Sequence, residues 1–535
     1  MKKITCFAFV LLFSLPVAAQ TNPEVTQNYQ KFAQLLLYID SHYMDSASIG
    51  KLTEKAIINT LQNLDPHSTY LTADEVKSSN ESLHGNFEGV GIEFNILNDT
   101  LTVVSPIFGG PSQAVGIRAS DRIIAVDNEN IASVGLTNAQ VLKFLRGPKG
   151  TKVLLTVVRK GVLQPLRFTV VRDKIPIHSV DAAYEVQPGM AYIRLGRFAL
   201  TTLDEINEAL KKKFKKAPAS MILDLRGNSG GIFKTSADLC NQFFDSGRLL
   251  VYSEGLHYPK TIELSGKGGF FQTGNLVVLL DEGSASASEI VAGCVQDWDR
   301  GILIGRRSYG KGLVQQLLPL TDGSQIRLTV ARYHTPTGRV IQRPYNAGET
   351  EKYYADLYKR AVHGEYYSRD SIRFPDSLKY YTLVKQRTVY GGGGIMPDIF
   401  MPHDTASYSK YYSNLSRAGL FNQFTLKYVD THRSRLEKSY KTVAAFDKQF
   451  HVAGDLFEQF LAYAEAQGIA RDEKGLEISG NDMRLQLKAL IARTLWNSSA
   501  YYEIINKHLD KEFIKAVEVL NNWSRYEREL LTVSD

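Results

Sequence analysis

The stretch 276–316, LVVLLDEGSASASEIVAGCVQDWDRGILIGRRSYGKGLVQQ, constrains the fold more than any other part of the chain. The apolar run Leu276 to Leu280 has the length and β-branched content of a buried strand. It ends in small residues, and a helical pattern starts at about Glu289. A strand, a tight turn and a helix place a hydroxyl at the mouth of a sheet, beside the free N–H groups of a helix start. Three serines crowd the turn, Ser284, Ser286 and Ser288, and a second apolar run, Ile302 to Ile304, leads to Gly310-Lys311-Gly312. Glycines on both sides leave the Lys311 ammonium room to reach across. A serine and a lysine presented in this way fit covalent catalysis with lysine as the base.

A chain of 535 residues, 44% apolar and 22% charged, is globular and long enough for about three or four domains. Its net charge of +7 is spread too thinly to form a phosphate-binding stripe, so nucleic acid is excluded as a first partner. Lys2 and Lys3 precede the apolar stretch Ile4 to Val17, and Val17-Ala18-Ala19 supplies small residues suited to signal-peptidase cleavage near Ala19. The stretch falls short of the ~20 residues that span a bilayer. The expectation is an exported, periplasmic or similarly located protein with no membrane span after signal removal. Cys240 and Cys294 could pair in an oxidising compartment, but two buried free thiols are the commoner outcome.

Residues 21–85 read as an N-terminal helical region, with Phe32, Leu35, Leu36 and Ile39 on one helix face, broken by Asp65-Pro66-His67-Ser68. His67 reads as a local hydrogen-bonding residue. Residues 86–173 carry five short alternating strands, turns at Asn98-Asp99, Asp127-Asn128 and Lys160-Gly161, and one helix opened by a Thr137/Gln140 capping box. With Gly89-Val90-Gly91-Ile92 at its start, this module resembles a PDZ domain. That family's glycine loop offers N–H groups to a terminal carboxylate, and the adjacent strand pairs with the peptide. Gly89, Val90, Gly91 and Ile92 are therefore the candidate substrate-binding residues.

From Met190 the pattern becomes α/β: a strand, a helix opened by a Thr202/Glu205 capping box, and the strand Met221 to Leu225 running into Arg226-Gly227-Asn228-Ser229-Gly230-Gly231. Those glycines lack the Walker lysine and the dinucleotide spacing, and they leave backbone N–H groups bare for a developing oxyanion. A hairpin at 316–331, an aromatic insertion at 346–384 and the run Gly391 to Gly394 follow. Residues 404–535 read as a C-terminal helical domain with faces at Leu456, Phe457, Phe460, Leu461 and Ala464, at Leu487, Ile491 and Leu495, and at Phe513, Val517 and Leu520.

Taken in order, the signal, the PDZ-like module, Asp224-Leu225-Arg226-Gly227-Asn228-Ser229-Gly230-Gly231, Gly283-Ser284-Ala285-Ser286-Ala287-Ser288-Glu289 and Tyr309-Gly310-Lys311-Gly312 resemble the carboxy-terminal processing, or tail-specific, proteases over residues 35–400. The resemblance implies a multidomain α/β fold: a crotonase/ClpP-like protease core at 174–403 with an inserted PDZ-like β-domain, an N-terminal helical cap and a C-terminal helical domain. It implies Ser286 as nucleophile, Lys311 as base and Gln315 as the residue that orients the ammonium. The oxyanion donors are then the backbone N–H groups of Ala287 and Gly230, the latter chosen over Gly231. Neither cofactor nor metal is implied. The expected partners are proteins or peptides with exposed C-terminal tails, with an adaptor protein as a further candidate and the oligomeric state open.

A neutral lysine can accept the serine proton once burial lowers its pKa. A Ser-His-Asp triad using His257 or His334 is disfavoured because neither lies in a motif-like setting. Asp297, eleven residues past Ser286, is about three turns and ~16 Å along a continuous helix and reads as a structural anchor, and Glu289 reads as a cap on the helix dipole. The family motif often opens with asparagine or arginine where this chain has Asp281-Glu282. The rival readings are a periplasmic peptide-binding scaffold with an inactive core, and an acyl-transfer or hydratase enzyme needing a coenzyme A pocket.

Overall fold

A computed structural model describes residues 22–530 apart from positions 98 and 108. The expected signal peptide and its cleavage point lie outside the described residues. The chain opens with helices α1 (Pro23–His42) and α2 (Ile49–Gln62), short strand β1 (Thr69–Leu71) and helix α3 (Ala73–His84). Asn22 caps α1, accepting from the Glu24 N–H, and Pro23 starts it. The helix forms as its period dictates, yet none of its residues is buried, and Phe32 and Leu35 are 40% and 51% exposed. The apolar stripe at Phe32, Leu35, Leu36 and Ile39 is therefore not a core face.

The β module is bounded by the pairing of β2 (Asn86–Gly89) with β9 (Asp173–Pro176). Between them lie β3 (Ile92–Leu97), β4 (Thr100–Pro106), short helix α4 (Pro111–Ala114), β5 (Arg122–Val126), β6 (Glu129–Asn130), α5 (Asn138–Leu145), β7 (Lys152–Val158) and β8 (Leu166–Val171). The sheet runs β3-β4-β5-β7-β8, so β3 is an edge. Asp127 and Asn128 both have positive φ, at 48° and 69°, which suits the tight turn from β5 into β6. Thr137 and Gln140 form the expected capping box.

The core begins with β10 (Val180–Gln187), β11 (Met190–Leu195), α6 (Thr202–Lys213), β12 (Ser220–Asp224), α7 (Phe233–Asn241), β13 (Leu249–Gly255), β14 (Tyr258–Leu264), β15 (Asn275–Leu280), α8 (Ala287–Asp297) and β16 (Ile302–Gly305). It continues through β17 (Leu313–Pro319), β18 (Gln325–His334), α9 (Thr350–Val362), β19 (Lys379–Tyr381), β20 (Thr388–Tyr390) and β21 (Ile399–Phe400). The central sheet runs β10-β11-β12-β15-β16-β21, parallel except for β10. The strands read as unbroken apolar runs because both faces are covered. Met221, Leu223, Val278 and Leu303 pack under α7 and α8, and the alternate Ile222, Val277, Leu279 and Ile304 face the other way. A second sheet runs β1-β18-β13-β14, with β17 also on β18. The Thr202/Glu205 box does not form. Thr202 is buried inside the helix and donates to Ser179, while the Glu205 carboxylate accepts the N–H groups of Ser179 and Val180 and so holds the start of β10. Cys240 and Cys294 are both free and buried.

The C-terminal region contains α10 (Lys410–Arg417), α11 (Leu420–Ser439), α12 (Val443–Gln449), α13 (Gly454–Ala466), α14 (Glu473–Leu495), α15 (Ser498–His508), α16 (Lys511–Asn521) and α17 (Trp523–Leu530). Helices α10 to α15 bury an aromatic core in which Phe421 and Phe460 stack at 4.8 Å. The last helices leave that core: Phe513, Ala516, Val519 and Leu520 of α16, with Tyr526 of α17, cover the second face of the central sheet. A helix set read as part of a separate domain thus supplies a layer of the α/β core. Phe513→Ala removes a ring from that layer and should cost about 3–5 kcal/mol. The denaturant midpoint of the full chain should fall; an unchanged midpoint would show that α16 does not stabilise the core.

Candidate active site

The turn after β15 is built by Asp281, whose Oδ1 accepts the N–H groups of Gly283 (3.0 Å) and Gly227 (2.8 Å) and so ties the serine turn to the glycine loop after β12. Ser284 donates to the Leu225 carbonyl at 2.9 Å, Ser288 donates to the Asn228 carbonyl at 2.8 Å, and both are fully buried. Ser286 alone of the three lines a cavity of about 890 Å³. It is also the N-cap of α8, at φ 55° and ψ −111°. A non-glycine residue held there costs about 1–3 kcal/mol, so its surroundings must enforce it.

Much of that enforcement comes from Glu289. Its Oε2 accepts the N–H groups of Ser286 (2.8 Å) and Lys311 (2.9 Å), and its Oε1 accepts from Gly310 N–H (2.7 Å) and Ser308 Oγ (2.6 Å). One fully buried carboxylate therefore holds the serine turn and the lysine loop together. Burial raises its pKa, and the four donors pull it back. Tyr333 adds a second tie, its hydroxyl donating to the carbonyls of Lys311 (2.8 Å) and Ser286 (3.2 Å). The expected helix-dipole role of Glu289 is the lesser part of what it does. Gly310 is needed for close approach: at φ 91°, a Cβ there would lie 2.5 Å from Arg343 Cγ and 3.0 Å from the Gly394 nitrogen.

Lys311 lines the same cavity as Ser286, and its Nζ donates to Gln315 Oε1 at 3.0 Å. Among the described residues no direct hydrogen bond joins the Ser286 and Lys311 side chains. Burial, aided by the Arg327 cation and opposed by Glu289 and Asp65, lowers the lysine pKa to about 8. Gln315 in turn donates through Nε2 to the backbone carbonyl of His67. That carbonyl is fixed by Asp65, whose Oδ1 accepts from His67 N–H (2.8 Å), Ser68 N–H (2.9 Å) and Thr329 Oγ1 (3.0 Å). The Asp65–Ser68 turn, read from sequence as a helix break, is what orients Gln315. The His67 ring also lines the cavity, contacts Tyr353 Oη at 2.9 Å, and is held neutral by burial, its pKa lowered to about 4.

The glycine loop requires a correction. Gly230, at φ 105°, packs so close that a Cβ would sit 2.8 Å from Ser286 Cβ and 3.0 Å from the Ala287 nitrogen. Its N–H, however, is donated to Asn228 Oδ1 at 2.9 Å, and it is Gly231 that lines the cavity. The expectation that Gly230 supplies an oxyanion donor fails because that amide is already spent within its own loop. Ala287 is the first residue of α8, beside Ser286. Gly89 to Ile92 do not line this cavity. The carbonyl of Val90 accepts from the Ser112 N–H and hydroxyl, and that of Gly91 from the Ile107 N–H, which holds the loop.

A chain of buried charges backs the site. Burial disfavours ionisation of Asp224, but Arg226 and Arg194 hold its carboxyl well below the usual range. Arg226 also pairs with Asp510 (2.6 Å) and with Glu512, which pairs in turn with Arg306; Arg306 then reaches Glu282 at 2.8 Å. Glu512 thereby links the C-terminal helix α16 to the glycine loop, the lysine loop and the serine turn. No sequence motif marked it. Asp281 and Glu282, where the chain departs from the family motif, are both consumed in holding these loops. Asp297 is buried against Arg339 (2.7 Å) and the Thr337 N–H (2.9 Å).

Family models match residues 189–348 as Peptidase family S41, 89–170 as PDZ domain and 411–497 as a family of unknown function. A carboxy-terminal-processing protease from Bartonella bacilliformis is 34% identical over 353 residues, 64% of this chain and 80% of that protein. The carboxy-terminal processing protease CtpA of Bacillus subtilis is 32% identical over 359 residues, 64% of this chain and 76% of the relative. Among solved structures, the photosystem II D1 C-terminal processing protease has 29% identity and a TM-score of 0.32, covering 57% of this chain and 88% of that one.

Glu512→Ala removes the carboxylate shared by Arg226 and Arg306, each of which keeps another acidic partner, and should destabilise the full chain by about 1.5–3 kcal/mol. Glu512→Gln should recover part of the loss in a denaturation midpoint, and a midpoint unmoved by Ala would show that the linkage contributes nothing.

Proposed function

The chain belongs to the carboxy-terminal-processing proteases of peptidase family S41, and from that premise we propose that it is an exported serine endopeptidase working through Ser286 and Lys311. The observation that carries this reading is that both side chains line one cavity while a single buried carboxylate, Glu289, holds both backbones. Neutral Lys311 takes the Ser286 proton as the oxygen attacks the scissile carbonyl carbon. The oxyanion is held by the Ala287 N–H at the start of α8, where the helix dipole favours negative charge, and by the Gly231 N–H. The ammonium formed on Lys311 gives its proton to the departing amine, leaving an acyl-enzyme on Ser286. Water then attacks, with Lys311 again as base. Gln315, fixed by the His67 carbonyl, keeps the ammonium aimed.

The chain carries a PDZ domain, and in this reading Gly89 to Ile92 take the terminal carboxylate of a protein or peptide tail while edge strand β3 pairs with its backbone. The tail is held there while an upstream segment enters the cavity. Apolar walls, among them Phe233, Leu313, Leu317 and Leu357, suit apolar substrate side chains.

Ser286→Ala and Lys311→Ala should each abolish cleavage of a tail peptide with folding intact, and retained cleavage in either would overturn the pairing. Lysine works here only when neutral, so kcat/KM should rise with pH through about 8 and level off above it; a profile flat from about pH 6 to 9 would remove Lys311 as base. Amidating the tail carboxylate should raise KM, and unchanged turnover would make the PDZ domain a spacer.

A further inference from the structure

The catalytic cavity is apolar over most of its wall. Two basic side chains, Lys311 and Arg327, and two carboxylates, Asp281 and Glu282, also line it. Arg327 lies on β18, opposite Leu317 of β17 and Thr69 of β1, and is half-buried. Its polar contact is weak, Nη2 donating to Ser79 Oγ of α3 at 3.3 Å. Among the described residues neither cation lies within ion-pair distance of a carboxylate.

The nearby carboxylates are all committed elsewhere. Asp281 accepts from Gly227, Gly283 and Ser284, and Glu282 pairs with Arg306 and His403. Glu289 holds four donors, and Asp65 holds the His67–Ser68 turn and Thr329. His67, which also faces Lys311, is neutral. Arg327, a cation without an ion-pair partner beside apolar walls, makes a site in which an anion gains more than it would in water, because the local dielectric is low. A guanidinium fork also matches a carboxylate better than it matches a peptide carbonyl.

We propose that Arg327, with Ser79, forms a subsite that binds a carboxylate of the substrate chain inside the catalytic cavity. The carboxylate is supplied by an aspartate or glutamate side chain close to the scissile bond, or by the chain terminus of a short substrate. The proposal rests on the catalytic reading of Ser286 and Lys311. It adds a preference for acidic substrates that apolar walls alone do not provide, and it makes Arg327 a specificity-determining residue. Because Arg327 also helps keep Lys311 neutral, its removal should shift the lower limb of the pH profile upward, so selectivity is compared where the lysine is neutral in both forms.

The test uses the full chain and internally quenched peptides, amidated at the C-terminus, that carry Glu or Gln at single positions within about four residues of the scissile bond, assayed near pH 9.5. At the favoured position the Glu peptide should exceed its Gln twin in kcat/KM by about tenfold at low salt, and the ratio should shrink as salt rises. Arg327→Gln should bring the ratio near one, and Arg327→Lys should restore part of it. A parallel set without acidic side chains but with a free terminus separates the second source: there, Arg327→Gln should remove the advantage of a free over an amidated terminus. Affinities of the same peptides for the Ser286→Ala chain read the subsite without turnover, so a wrong catalytic assignment leaves this measurement intact. A Glu/Gln ratio near one in the unaltered chain together with no terminus effect at Arg327, or either preference surviving Arg327→Gln, would overturn the proposal.

Discussion

The site depends on one buried carboxylate. Glu289 is sequestered from water and its ionised form is disfavoured by burial, yet it accepts from four donors drawn from two separate loops. Charge-assisted hydrogen bonds in a dry interior are among the strongest available to a protein, and they are directional. The Ser286 backbone, strained at φ 55°, and the Lys311 backbone are therefore fixed relative to each other before any ligand enters. The strain of the turn and the positioning of the loop are offset by the same interaction.

Around this point the charge pattern falls into two classes. Glu282, Arg306, Glu512, Arg226 and Asp224 form an unbroken alternation of signs that locks the ends of β12, β15 and β16 to α16. Each member offsets the desolvation of the next, which is the condition under which buried charges persist. Lys311 and Arg327 stand outside that alternation. Burial, aided by the neighbouring Arg327 cation, lowers the lysine pKa to about 8.

The N-terminal turn at Asp65–Ser68 shows how remote segments reach the candidate site. Gln315 bridges Lys311 Nζ on one side and the His67 carbonyl on the other, so the ammonium is oriented through a backbone group more than two hundred residues upstream. A carbonyl can be supplied by any residue type. Its role is invisible in side-chain chemistry and rests instead on Asp65, which shapes the turn.

Much of the fold was legible from local periodicity. The strands at 122–126 and 166–171, the capping box at Thr137 and Gln140, and the unbroken apolar runs of the central sheet follow from rules that act over a few residues. Small-residue and glycine spacing marked the turn with its three serines and the Lys311 loop, while the choice of Ser286 among those serines came from the family resemblance. What local rules could not reach is whatever a distant partner decides. The stripe on α1 has helical period but remains exposed, and the face of α16 with the same period covers the core sheet. Gly230 looks like a free amide until Asn228 folds back to take it, and Glu289 and Glu512 look like ordinary helix carboxylates until the loops they hold arrive around them. The sequence determined which segments become strands, helices and reactive turns, since backbone preference and hydrophobic period are local. Tertiary structure decided which buried polar groups meet, since satisfying a desolvated carboxylate or amide requires donors that only the assembled fold brings within hydrogen-bonding distance.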